Sequence, residues 1–125
     1  MTKKPIDFDV VREIALAFPG VEEGTLHGAP TLKVAGRLLT CPALHKSAEP
    51  NSLMVRISFE ERAKLLAADP SLYYVTDHYM DYPSVLVRLP EMDPQSLRDL
   101  LRTSWQFVTS DAKMSRRKPR GRDRT

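Results

Sequence analysis

The residues best able to do chemistry lie close together, between positions 73 and 82: Tyr73, Tyr74, Thr76, Asp77, His78, Tyr79, Asp81 and Tyr82. An imidazole there could work as an acid or a base, a carboxylate could orient it, and phenols could hydrogen-bond or stack on a ligand. No nucleophile or paired base is fixed by spacing, and Asp, Tyr and Pro in a loop also satisfy their own backbone, so the cluster reads as structural before catalytic. The other histidines, His27 and His45, fall in expected loops. With Cys41 they match no C-x-x-C, H-E-x-x-H or i, i+4 spacing, and neither a metal nor another cofactor is expected. His45-Lys46-Ser47 could touch a phosphate, but Gly20, Gly24, Gly28 and Gly36 form no phosphate-cradling loop.

The elements that must position these residues follow from periodicity. Val11, Ile14, Ala15 and Phe18 make one helical stripe, capped by Asp7 or Asp9 and stopped by Pro19-Gly20. Val21 to His27 reads as a loop. Thr31–Val34 and Arg37–Cys41 read as a hairpin turning at Gly36, and Pro42 to Ser52 as a long exposed loop. A third strand carries Leu53, Val55 and Ile57. Ser58 to Glu61 form a capping box, opening a helix with Phe59, Ala63, Leu66 and Ala67 on one face. Leu72–Thr76 and Ser84–Leu89 are strands, joined by the polar connection from Asp77 to Pro83. A last helix opens at Asp93-Pro94 and buries Leu97, Leu100, Leu101, Trp105 and Val108.

The expected order is α-β-β-β-α-β-β-α: a single α+β domain over residues 1–112, with an antiparallel sheet of about five strands backed by helices. Alternation turns Leu32, Val34, Leu53, Val55, Ile57, Val85, Val87 and Leu89 inward. Lys33, Met54, Arg56, Tyr74, Leu86 and Arg88 then share an open outer face.

The 125 residues carry a net charge of +3, unevenly placed. Residues 113–125 hold seven basic side chains and one acid, whereas the other 112 residues hold 12 basic and 15 acidic ones. This stretch has no apolar periodicity and is expected to be a disordered basic tail. One cysteine, no apolar run long enough to span a membrane and no apolar leader lead to the expectation of a cytoplasmic domain, monomeric and without membrane contact.

The chain resembles the MmcQ/YjbR family. The segments that carry the likeness are Phe18-Pro19-Gly20-Val21-Glu22-Glu23 with Gly28-Ala29-Pro30, then Lys33 to Leu38, Ser52 to Arg56, and above all Tyr73 to Tyr79 continuing through Tyr82 to Leu89. The resemblance implies a CyaY-like, double-wing α+β fold and DNA binding. On that reading the protein is a non-enzymatic binder of DNA or RNA without sequence preference. Its phosphate contacts are Lys33, Arg37, Lys46, Arg56 and Arg88, with Arg116, Arg117, Lys118 and Arg120 of the tail. Two other classes remain open: a small-ligand or enzyme-like module with a pocket of His27, Asp77, His78, Tyr79 and Tyr82, and an adaptor using an open sheet edge.

Overall fold

The computed structural model describes residues 6–26 and 28–121, with side chains over 6–25 and 28–110. Helix α1 (Phe8–Leu16) starts where the Asp7 carboxylate accepts the Val10 N–H at 3.2 Å. This satisfies one of the amide donors that a helix start leaves unpaired. Six strands follow in an antiparallel sheet: β1 (Val21–Leu26), β2 (Ala29–Val34), β3 (Arg37–Pro42), β4 (Ser52–Arg56), β5 (Tyr73–Tyr74) and β6 (Ser84–Arg88). Their spatial order is β1-β2-β3-β4-β6-β5. Helix α2 (Phe59–Ala68) lies between β4 and β5, α3 (Asp77–Met80) between β5 and β6, and α4 (Pro94–Gly121) closes the described chain.

The inner face is as alternation assigns it. Leu32, Val34, Leu53, Val55, Ile57, Val85, Val87 and Leu89 all belong to one core with Val11 and Ala15 of α1 and Leu97, Leu100, Leu101 and Val108 of α4. The two helices are held together at one end, where the Trp105 indole N–H donates to the Pro19 carbonyl at 2.9 Å and its ring stacks beside Phe18.

Five expectations need correction. The sheet has six strands, because Val21–Leu26 is a strand rather than a loop, pairing along its length with β2. Its two glutamates and Gly24 hide the signal, but charge is common on an edge strand. The connection after Thr76 contains a helical turn, α3. Helix α2 buries only part of its expected face: Phe59, Ala63 and Ala67 are exposed, while Leu66 packs on the core together with Leu65. Ser58 does cap it, accepting the Glu61 N–H at 3.1 Å. The outer sheet face is not open, as the next section describes. Helix α4 runs to Gly121, so residues 113–121, expected as part of a disordered tail, are helical, the helix continuing past Ala112 where the apolar stripe stops.

The β2–β3 hairpin turns through Ala35 and Gly36, at φ +54° and +75°. Two positive φ values in a two-residue hairpin link define a type I′ turn, which an alanine enters against its Cβ sterics. Ala35→Asn, giving the preferred Asn-Gly pair, is expected to raise unfolding stability by about 1 kcal/mol in a denaturant titration.

Candidate functional site

The outer face is roofed by the chain between β3 and β4. Residues 43–51 run as a strap across β4, β6 and β5, and Ala43, Met54 and Leu86 form a second buried cluster beneath it. Leu38, Cys41, Ala48, Tyr74 and Tyr79 pack around that cluster. Polar ties hold the strap down. Glu49 accepts two bonds from the Arg88 guanidinium, at 2.9 and 2.7 Å. The Glu49 N–H donates to the Tyr74 hydroxyl at 2.7 Å, and that hydroxyl also meets Ser52 Oγ. Ser47 Oγ bonds Thr76 Oγ1 at 2.8 Å, joining the strap to the start of α3.

A cavity of about 290 Å³ opens between this roof and strands β2 and β3. Leu38, Cys41 and Met54 supply its apolar floor, with Ala29 and Thr31 from β2. Its wall is aromatic, made of His45 from the strap, His78 and Tyr79 from α3, and Tyr82 just beyond. The two imidazoles lie face to face, with ring centroids 3.5 Å apart and an interplanar angle of 8°. Tyr79 stands edge-on to both, at 4.8 Å from His78 and 6.3 Å from His45. A shallower concavity lined by His78, Tyr79, Asp81 and Tyr82 adjoins it.

The Ser47 N–H donates to His45 Nδ1 at 3.0 Å, so Nδ1 carries the lone pair and neutral His45 has its proton on Nε2. Partial burial, then the charges of His78 and Lys46, hold His45 below its ordinary value of 6.5. A base lowered by folding binds fewer protons in the folded state, so its contribution is complete above about pH 6.5 and is lost as the pH falls through that value. The melting temperature is therefore expected to drop more between pH 7.5 and 5 in the wild type than in His45→Gln, measured side by side.

Burial pushes the Cys41 thiol up to about 11, so it lines the cavity as a neutral group and not as a thiolate nucleophile. Burial also raises the Tyr79 phenol, which stays protonated at neutral pH. Thr31 is 1% exposed, and its hydroxyl is the one buried side-chain polar atom among the described residues without a hydrogen-bond partner. Its neighbour across the β1–β2 ladder is Gly24, which offers no side chain to bond it.

The structure divides the expected site residues. His78, Tyr79 and Tyr82 meet at the cavity; Asp77 is exposed at the first turn of α3 and does not line it, and His27 lies outside the described residues. Two of the expected phosphate contacts, Arg56 and Arg88, have partners within the fold. Arg88 lies over the Tyr74 ring at 4.3 Å and donates to Glu49 and to the carbonyls of Pro70 and Ser71. Arg56 donates to the Pro83 carbonyl at 3.2 Å and covers the Tyr82 ring at 4.8 Å. Lys33 stands opposite Glu22, Arg37 opens β3, and Lys46 is exposed on the strap. The side chains of Arg116, Arg117, Lys118 and Arg120 lie outside the described ones. His45, Thr31 and Cys41 were missing from the expected pocket. Their shared signal is membership of the outer face or its covering loop.

Among the described residues no helix is long and apolar enough to cross a membrane, and no group of three or more His, Cys, Asp or Glu side chains is placed to hold a metal ion. The chain is similar to uncharacterised proteins of Mycobacterium tuberculosis and Mycobacterium bovis, 40% identical over 52 residues, which is 41% of this chain and 40% of those relatives. The matched segment thus spans about two fifths of the curated relatives. A crystal structure of the Deinococcus radiodurans protein DR2400, with family-model domain DUF419, superposes with a TM-score of 0.68 at 21% identity, over 87% of this chain and 83% of that one. That likeness establishes a shared α+β fold. The family model for YjbR matches residues 16–107, a span that takes in all six strands, the strap and the cavity wall, and the chain belongs to the YjbR family.

Proposed function

We propose that this domain binds a small organic molecule in the cavity between the strap and the outer sheet face. The observation that carries this reading is the union of an apolar floor and an aromatic wall of stacked imidazoles and tyrosine in one recess of about 290 Å³. Ligand sites combine apolar walls with a few placed polar groups, and this recess is near the lower end of their sizes. No nucleophile with a paired base stands in it, so the reading is binding rather than catalysis. The test is a small-fragment panel followed by the methyl resonance of Met54, on the floor. Saturable shifts in the wild type that vanish in Ala29→Trp, with its melting temperature kept, are expected. A Met54 signal unmoved by every fragment would overturn the reading.

Residues 113–125 support a second activity, sequence-blind binding of DNA or RNA phosphates, through seven cations against one acid. Arg56 and Arg88 already serve carbonyl, carboxylate and ring partners within the fold, so the tail is the better carrier of that activity. Fluorescence anisotropy on labelled duplex DNA is expected to show affinity that falls steeply with salt for the full chain and is absent from a chain ending at Ala112. Equal binding by both chains would move the phosphate site onto the domain.

A further inference from the structure

A second recess, of about 260 Å³, lies on the inner side of the sheet, between α2 and α4 and beside the edge strand β5. Its floor is apolar, made of Ile57, Leu65, Leu100 and Tyr73, all of them part of the main core or packed on it. Each helix adds one carboxylate, Glu61 from α2 and Asp99 from α4, and the hydroxyls of Ser96 and Thr103 stand beside Asp99. No Lys, Arg or His lines the recess. Tyr73 is only 8% exposed, and its hydroxyl bonds no group among the described residues. That hydroxyl is not sealed in the core, unlike the Thr31 hydroxyl, so a molecule in the recess can reach it.

Apart from Tyr73, the polar groups here can only accept. Ser96 Oγ donates to the Asp93 carboxylate and Thr103 Oγ1 to the Asp99 carbonyl, each at 3.1 Å, so both protons are committed within the fold and lone pairs remain. The carboxylates are acceptors by nature. Lys64 stands 3.6 Å from Glu61 Oε2, while Gln95 and Arg102 reach Asp99 Oδ1 at 3.1 and 3.4 Å. Glu61 Oε1 and Asp99 Oδ2 are left to a ligand. Both ion pairs are exposed and weakened by water, so they leave room for a further cation. Burial, then the charges of Asp69, Asp93 and Asp99, hold the Tyr73 phenol above its ordinary value. It stays protonated at neutral pH, and the same carboxylates make the potential at its oxygen negative.

We infer that this recess binds a primary ammonium ion on a short apolar stem. The stem lies on the floor of Ile57, Leu65 and Leu100, and the ammonium is shared between the Tyr73 hydroxyl and the carboxylates of Glu61 and Asp99. These three acceptors match the three donors of an ammonium group, and bonds between ionised partners are the stronger kind. The floor adds apolar burial that a bare cation cannot use. This site is separate from the cavity beneath the strap and does not depend on it.

The experiment is an NMR titration of the full chain with butylammonium, butanol, butyrate and ammonium chloride. It reads the Leu65 and Leu100 methyls, with the Met54 methyl as the marker of the other cavity. Butylammonium is expected to shift both leucines saturably and to leave Met54 unmoved. Tyr73→Phe removes a hydroxyl that bonds nothing among the described residues, so the melting temperature is expected to hold. Affinity for butylammonium is expected to fall about tenfold in the same variant, the loss of one hydrogen bond to a charged group. Asp99→Asn is expected to weaken binding and to flatten its salt dependence. Butanol or butyrate binding as tightly would overturn the cationic part of the inference, and ammonium chloride binding as tightly would overturn the apolar part. Unchanged affinity in Tyr73→Phe would remove the hydroxyl from the site. Shifts at Met54 in place of the leucines would put the amine in the other cavity, and leucines unmoved by all four probes would overturn the site outright.

Discussion

Leu86→Ala is expected to lower the unfolding free energy by about 3 kcal/mol, read from a urea or guanidinium titration. The size follows from burial. Leu86 is 0% exposed although it points away from α1 and α4, and it packs with Met54 and Ala43 under the strap. Truncation there removes the transfer energy of three carbon atoms and leaves a void that Met54 and Tyr74 fill only in part. A leucine on an open, solvated sheet face would lose no more than about 1 kcal/mol. A small cost would mean that the strap does not cover the sheet in solution, and the cavity would then lose its roof.

Arg88→Ala carries the second large effect, about 2 kcal/mol of stability. The side chain is 27% exposed, so its bonds are only partly screened by water. It gives a two-pronged bond to Glu49, donates to the carbonyls of Pro70 and Ser71, and covers the Tyr74 ring. The carbonyl bonds and the ring contact supply much of the loss, because Glu49 is half exposed and its ion pair is weakened by solvent. Glu49→Gln, which keeps a hydrogen-bond acceptor but not the charge, is expected to cost less. If charge reversal at Arg88 weakened DNA binding with stability unchanged, the guanidinium would be a phosphate contact and its role in the fold would be wrongly assigned here.

These two residues also show how far the sequence could be read. Period-two alternation placed the inner set because a large apolar core selects β-branched and leucine side chains at every second position, and all eight inner residues lie in that core. The same alternation put Leu86, Met54 and Arg88 on the opposite face correctly, but could not say what lies over it. The cover is a polar loop whose apolar contributions to the buried cluster are the small Ala43 and Ala48, so no periodic stripe announces it. Its hold depends on pairs far apart in the chain, Glu49 with Arg88 and Ser47 with Thr76, and single-sequence patterns do not encode such pairs. The cavity was legible from one side only. His78, Tyr79 and Tyr82 stood out as a polar and aromatic run, whereas His45 becomes meaningful only when the strap lays it on His78. The β2–β3 register adds a further difficulty. Leu32 pairs with Thr40 and Lys33 with Leu38, so Leu39 is an extra residue in β3, and Leu39 and Thr40 are both buried. A bulge breaks strict alternation at the strand that forms the cavity floor.

Strand β1 stands at one margin of the sheet, hydrogen-bonded to β2 on a single side. Its outer backbone groups could template a further strand from another molecule. Glu22 and Glu23 follow one another on that margin, one on each face of the sheet and both exposed, with Glu23 3.5 Å from the Arg12 guanidinium. Two copies meeting there edge to edge would bring four carboxylates together, and their repulsion works against assembly into extended sheets. That deterrent is electrostatic, so it weakens in concentrated salt and in acid, the conditions under which self-association at this edge becomes easiest.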